Sequence, residues 1–291
     1  MTGRGGTRRN NRRTAIAALA RERRARLSGA RLFFIMSRGM PMDRFRRALE
    51  AYRRRVADDA ARRAAFIRER VAAAGARGAI VGLSGGLDSA AVAGLLARAL
   101  GPEGAWGMWI GIESTPAYRE RARAVADAFG LRWLDVDLSA ALAAFSEALR
   151  PVVTLDRRAA GNTKARLRMA ALYAVANAEG LLVADTTNRS EAYVGYVTKG
   201  GDAVADFNPL LTLTKSEVRI LAEHLGVPPA VLAAAPSADL WPGQTDEAEL
   251  GFGYEALDRF LLTGEGDEAV IRRIRALHAA SRHKREPMPF I

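Results

Sequence analysis

The sequence predicts an α/β fold, a doubly wound parallel sheet flanked by helices, and three observations carry that prediction. From Gly75 onward short apolar runs alternate with helical ones, the pattern of a parallel sheet covered on both faces. A glycine-rich turn stands directly between the first run and an alanine-rich helical stretch. With 291 residues, 49 % hydrophobic and 26 % charged, the chain is long and apolar enough to bury a full core.

The elements follow in order. Residues 1–39 hold eleven Arg and a single acid, Glu22, a self-repelling composition that does not fold alone. They are expected to be a basic, disordered tail, or a misassigned start ahead of Met36, Met40 or Met42, with residues 40–291 as one domain. Between 43 and 74, Phe45, Leu49, Tyr52, Val56, Ala60, Phe66, Ile67 and Val71 recur at helical spacing, which predicts one or two amphipathic helices. Strands are then predicted at 79–83, 105–112, 131–136 and 181–184, and helices at 87–100, 117–129 and 163–178. Residues 215–226 read as a capped helix stopped by Gly226-Val227-Pro228. The insertion at 139–160, just before the helix at 163, is a candidate lid.

Charge and composition narrow the chemistry. The net charge is +12, yet residues 1–72 carry 21 Arg, no Lys and 6 acids, so the remainder is −3. An enzyme of nucleic acid is expected to carry its basic surface on the folded domain, and this chain does not. Zero cysteines exclude disulfides, thiolate zinc, iron–sulfur clusters and thioester or persulfide mechanisms. Three histidines weigh against a zinc site, and His224 and His278 read as surface or cap residues on helices. The apolar stretch 32–36 is too short for a signal peptide core or a membrane span, which leaves a cytoplasmic location as the expectation. Trp106, Trp109 and Trp133 read as core or pocket wall. For Trp241, in a loop rich in Pro and Gly, burial and substrate contact stay open.

The strongest local signal is Gly82-Leu83-Ser84-Gly85-Gly86-Leu87-Asp88-Ser89. Glycines let the backbone turn tightly and bring N–H groups against an anion, and the helix N-terminus behind them adds partial positive charge. Phosphate binding is the physical expectation, with Ser84 and Ser89 as hydroxyl donors and Asp88 placed to hold Mg²⁺. The loop lacks the Lys of a Walker A motif and the third Gly of a dinucleotide fingerprint.

Ser-Gly-Gly-x-Asp-Ser resembles the pyrophosphatase loop of ATP enzymes that adenylate their substrate, the adenine nucleotide α-hydrolase superfamily. Four further stretches resemble ammonia-dependent NAD synthetases within it. They are Gly161-Asn162-Thr163-Lys164-Ala165-Arg166-Leu167-Arg168-Met169; Thr186-Thr187-Asn188-Arg189-Ser190-Glu191; Thr198-Lys199-Gly200-Gly201-Asp202 with Asp206; and the run from Pro236 through Trp241-Pro242-Gly243-Gln244-Thr245-Asp246 to Glu247. His283-Lys284-Arg285 is a last match. All four lysines of the chain, Lys164, Lys199, Lys215 and Lys284, fall in or beside functional stretches, although 40 of the 44 basic residues are Arg. A chain that otherwise uses Arg keeps Lys where a compact ammonium matters.

The resemblance implies a Rossmann-like fold, a homodimer and ATP-dependent amidation of deamido-NAD by ammonia. It implies that Gly82, Leu83, Ser84, Gly85, Gly86, Leu87, Asp88 and Ser89 cradle ATP with Thr186, Lys215 and Ser237, and that Asp88 and Glu191 ligate Mg²⁺. It assigns Arg168, Lys199, Asp206, His283 and Lys284 to deamido-NAD, and Asp88, Asp202 and Lys215 to catalysis. Glutamine-dependent relatives carry an amidase domain with a nucleophilic Cys; this chain has none, so free ammonia is the expected donor unless a separate glutaminase docks. Gly200 stands where an aromatic residue is common and Ala203-Val204 replaces a Gly pair, so the substrate loop is expected to differ in shape. The stretch 263–267 looks shortened. The runner-up reading is a tRNA-modifying, lysidine-type ligase using the Arg-rich N-terminus on RNA. A third is a non-enzymatic nucleotide-binding module, which the presence of both carboxylates opposes.

Overall fold

The computed structural model describes residues 43–237, 239–241, 243–287 and 289–290. The chain divides into two compact units, 1–46 and 47–291, and of the first only residues 43–46 are described. The tail expected at 1–39 and the alternative starts at Met36, Met40 and Met42 lie outside the described residues.

Four parallel strands form the sheet: β1 (Gly78–Gly82), β2 (Ala105–Gly111), β3 (Arg132–Asp137) and β4 (Leu181–Val183), in the order β3-β2-β1-β4. Helices α1 (Arg44–Ala73), α2 (Leu87–Gly104), α3 (Pro116–Phe129), α4 (Ser139–Leu149), α5 (Arg157–Glu179), α6 (Arg189–Val194), α7 (Lys215–Leu225), α8 (Pro229–Leu232), α9 (Asp246–Leu250), α10 (Tyr254–Thr263) and α11 (Glu268–Ala280) surround or follow it. The chain walks outward from β1 to β3, then returns through α5 to place β4 on the other side of β1. That reversal opens a crevice beyond the carboxyl ends of β1 and β4, where ligands bind in folds of this kind.

Alternation along each strand explains why both faces are apolar. Ala79, Val81 and Leu83 of the β1 segment join one core with α1, α2 and α7, while Ile80 joins Trp106, Met108, Ile110, Leu172 and Val183 in a second. Trp106 and Trp109 are therefore core residues on opposite faces. A third cluster, Val194, Leu250, Phe252, Tyr254, Leu257 and Ile274, seats α6 against the C-terminal helices.

Several boundaries differ from the sequence pattern for local reasons. Of the one or two helices expected at 43–74 there is one, of 30 residues, anchored internally by Asp59, which accepts from Tyr52 Oη (2.9 Å), Arg62 and Arg63. Helix α2 continues to Gly104 across a break at Gly101, whose φ of 67° no side-chain-bearing residue adopts cheaply. Helix α5 begins six residues before the expected 163 because Asp156 caps it, its Oδ1 accepting from Ala159 N at 2.7 Å. The 139–160 insertion folds as α4 and the first turn of α5. No helix among the described residues is long and apolar enough to cross a membrane.

Candidate active site

The loop leaving β1 is held open by its own hydroxyls. Ser89 Oγ accepts from Ser84 N at 3.2 Å and lies 3.1 Å from Ser84 Oγ, which accepts from Gly86 N at 3.2 Å. Gly85 has φ 75°, and a Cβ there would sit 2.3 Å from the Tyr118 carbonyl oxygen. Gly86 is the N-cap of α2 and gives it no side-chain cap, so the first N–H groups of α2 face the crevice. Gly85→Ala is expected to weaken any phosphate ligand of this loop by about 10-fold or more while the far core stays intact, since it combines a left-handed φ with a backbone clash; a nucleotide titration beside a melting curve checks this.

Facing the loop, α6 and α7 bring charge into a cavity of about 420 Å³. Asn188 and Glu191 form a capping box at the start of α6: Glu191 N donates to Asn188 Oδ1 at 3.0 Å, and Asn188 N to Glu191 Oε2 at 3.2 Å. Asn188 Nδ2 donates to Asp88 Oδ1 at 2.9 Å. Lys215, first residue of α7, donates from Nζ to Asp88 Oδ2 and to Glu191 Oε1, the latter at 3.0 Å, with its ammonium 4.8 Å from the Tyr254 ring centre. Burial opposes the Lys215 charge, but Asp88 and Glu191 outweigh it and its pKa is raised. Burial drives the Glu191 carboxyl well above the usual range.

The same wall is richer in acceptors than in donors. Tyr254 Oη donates to Asp246 Oδ2 at 3.0 Å and Tyr196 Oη to Glu249, leaving Asp246 Oδ1 buried with no hydrogen bond. Asp88, Glu191 and Asp246 thus face one lysine. An all-oxygen set with carboxylates from the first turns of separate helices fits a hard divalent cation. Among the described residues no trio of His, Cys, Asp or Glu is arranged to hold a metal by itself.

A second cavity of about 580 Å³ adjoins the first and shares Tyr196, Thr198, Asp202 and Leu240 with it. Arg157, Arg158, Arg273, His283 and Lys284 line it, a basic set suited to an anionic ligand.

The family model described as NAD synthase matches residues 60–288. The chain belongs to the NAD synthase family. It is 42 % identical over 221 residues to the NH(3)-dependent NAD(+) synthetase of Mesoplasma florum, covering 76 % of this chain and 90 % of that one. Among solved structures, NMN synthetase from Francisella tularensis matches with a TM-score of 0.76 at 32 % identity, covering 81 % of this chain and 98 % of that one. NH3-dependent NAD synthetase from Campylobacter jejuni matches with a TM-score of 0.67 at 29 % identity over the same shares. NAD synthase membership sets aside the RNA-modifying ligase and the non-enzymatic module, and makes the chain an enzyme of the ligase class.

The residues that the resemblance to NAD synthetases singled out fall into three groups. Gly82, Ser84, Gly85, Gly86, Leu87, Asp88, Ser89, Arg168, Thr186, Glu191, Asp202, Lys215 and Ser237 line the first cavity. His283 and Lys284 line the second, where Lys284 Nζ donates to the Gly195 and Val197 carbonyls at 2.8 and 2.7 Å. Leu83, Lys199 and Asp206 line neither. Leu83 is a core residue whose N–H goes to Met108 O at 2.8 Å; Lys199 Nζ donates to His283 O at 3.2 Å; Asp206 accepts from Val183 N at 2.7 Å and Tyr173 Oη at 3.2 Å. Of the four lysines, Lys164 is a buried partner of Glu113 at 2.8 Å. His278 is more than a surface residue, for its ring stacks on Tyr193 at 4.1 Å between centres. Trp241 packs on Gly161 and lines the second cavity, with Arg157 over its ring at 5.0 Å.

Asn188, Tyr196, Asp246 and Tyr254 also line or brace the site, and sequence reasoning assigned them no role. Asn188 and Asp246 do lie in stretches that resemble NAD synthetases, and Asn188 has a local signal besides, as the first residue of an Asn-x-x-Glu capping box.

Proposed function

We propose that the chain converts deamido-NAD to NAD with ATP and ammonia, by way of an acyl-adenylate. The observation that carries this reading is the Asp88–Lys215–Glu191 array set against the open N-terminus of α2 at the sheet's reversal point. The nicotinate carboxylate oxygen attacks the α-phosphorus of ATP, the bond to the β-phosphate oxygen breaks, and pyrophosphate leaves. Ammonia then attacks the acyl carbon, AMP departs with its electron pair, and the amide nitrogen loses a proton to solvent. Adenylation is needed because a free carboxylate would have to expel oxide.

The chain's own groups bind and neutralise. Loop N–H groups and the Ser84 and Ser89 hydroxyls receive phosphate oxygens, and Thr186 and Ser237 border the nucleotide. Lys215 neutralises charge on the phosphates, and Asn188 with Lys215 fixes the orientation of Asp88. Mg²⁺ on Asp88 and Glu191 would supply charge neutralisation of the pyrophosphate leaving group. Arg168, Asp202, His283 and Lys284 border the acyl substrate, with Lys199 and Asp206 shaping its loop. No covalent enzyme nucleophile is required, in keeping with the absence of cysteine. A cytoplasmic homodimer using free ammonia, or ammonia from a separate glutaminase, completes the reading; Phe145, Val152 and Val153 are exposed apolar side chains suited to self-association.

The Francisella neighbour favours a second reading, in which the acyl substrate is a mononucleotide. The basic second cavity supports the dinucleotide, whose additional phosphate it can receive. Purified chain with ATP, Mg²⁺ and ammonium is expected to form AMP and NAD in equal amounts from deamido-NAD, with a higher kcat/KM than for nicotinate mononucleotide. The reverse preference would select the second reading, and AMP formation only with tRNA would reject both.

A further inference from the structure

We propose that Asp258, which has no part in the reading above, is a positioning residue that holds Lys215 and Glu191 in register across the nucleotide cavity. The proposal rests on that reading for the role of Lys215 and Glu191. Asp258 lies on α10 and is fully buried. Its Oδ1 accepts from Ser190 Oγ at 2.5 Å, and its Oδ2 from Ser216 N at 2.7 Å and Ser216 Oγ at 2.6 Å. Ser190 Oγ in turn accepts from Lys215 N at 3.1 Å.

The sequence positions give this network its meaning. Ser190 immediately precedes Glu191, and Ser216 immediately follows Lys215. One carboxylate therefore grips the neighbours of both members of an ion pair carried on separate helices. At the start of α7 the N–H of Lys215 goes to Ser190 Oγ, that of Ser216 to Asp258, and that of Glu217 to Thr214 Oγ1 at 3.4 Å, so three donors of the first turn are satisfied. The partners of Asp258 in this network are neutral, and burial raises its carboxyl pKa. A buried carboxylate on neutral donors contributes little net stability compared with an apolar replacement. It does fix the angle and height at which α7 presents Lys215 to Asp88 and Glu191.

The full chain and its Asp258→Asn, Ser190→Ala and Ser216→Ala variants should be compared by calorimetric titration with MgATP and by steady-state kinetics. An amide at 258 keeps the shape but leaves one acceptor oxygen for two serines. Asp258→Asn is expected to raise both Kd and KM for MgATP about 10-fold, with the KM for ammonium unchanged, the loss expected when charge-assisted bonds fail. Ser190→Ala cuts the link to Lys215 N and is expected to raise them about 5-fold; Ser216→Ala keeps the backbone bond and is expected to stay within about twofold. A merely structural role would lower the folded fraction, and with it the apparent kcat, at unchanged Kd and KM for MgATP. That outcome overturns the proposal. Should Asp258→Asn fail to fold, an unchanged Kd in Ser190→Ala overturns it alone. Wild-type chain that binds MgATP but does not amidate deamido-NAD would reject the functional reading, and the comparison of Kd values would still decide the role of Asp258.

Discussion

Asp88→Ala is expected to remove AMP and NAD formation together, by about 10³-fold or more in kcat. Both oxygens of Asp88 are committed to the site, one to Asn188 Nδ2 and the other to Lys215 Nζ. Losing the carboxylate takes an acceptor from the Asn188 amide and from the Lys215 ammonium and removes one of the two proposed cation ligands. Lys215 keeps its bond to Glu191, so the fold is expected to persist with a small change in Tm. Asp88→Asn retains the shape and an acceptor for Asn188 but not the charge, and it is expected to be nearly as inactive. Assays of AMP and NAD on the same samples decide the matter: AMP release surviving without NAD would place Asp88 in the second step only.

Lys215→Met carries the next largest expectation. The methionine keeps an unbranched apolar side chain of similar length and discards the ammonium, and with it the cation that sits over the Tyr254 ring. Two carboxylates then face each other without their common partner in a buried setting, which costs about 3–5 kcal/mol where one member of a buried pair is removed. A lowered Tm is expected together with a fall in kcat of about 10²- to 10³-fold. Lys215→Arg should rescue the melting temperature in part and the rate hardly at all, because a planar guanidinium cannot place one point charge between Asp88 and Glu191. Comparable activity in Lys215→Arg and wild type would sink the assignment.

Each predicted strand overlaps its observed counterpart; β1, β2 and β4 were legible as short apolar runs, as expected of parallel strands buried on both faces, whereas the edge strand β3, Arg132–Asp137, mixes apolar with charged residues. Helix ends were less legible. Asp156 begins α5 well ahead of its apolar repeat, and a cap is a property of one side chain and one turn rather than of a periodic pattern. A local motif marked the loop at 82–89, and the resemblance to NAD synthetases marked Glu191. The pairings that give them geometry were hidden: Asn188 reaches Asp88 across 100 positions of sequence and Lys215 across 127, a separation no spacing argument bridges. Rarity of lysine singles out Lys215, which lines the first cavity, and equally Lys164, which lies outside both cavities as the buried partner of Glu113.

The two oxygens of Glu191 have different employers. Oε2 accepts the Asn188 backbone N–H that closes the cap of α6, while Oε1 accepts the Lys215 ammonium. Secondary structure and ligand chemistry are thereby soldered at one side chain. Truncation at 191 would fray a helix start and empty the proposed ligand position at once, so its effects on melting and on metal dependence would have a single origin. Only a neutral isostere that still satisfies the cap can pull the two apart, which makes position 191 a poor place to infer a metal ligand from loss of activity alone.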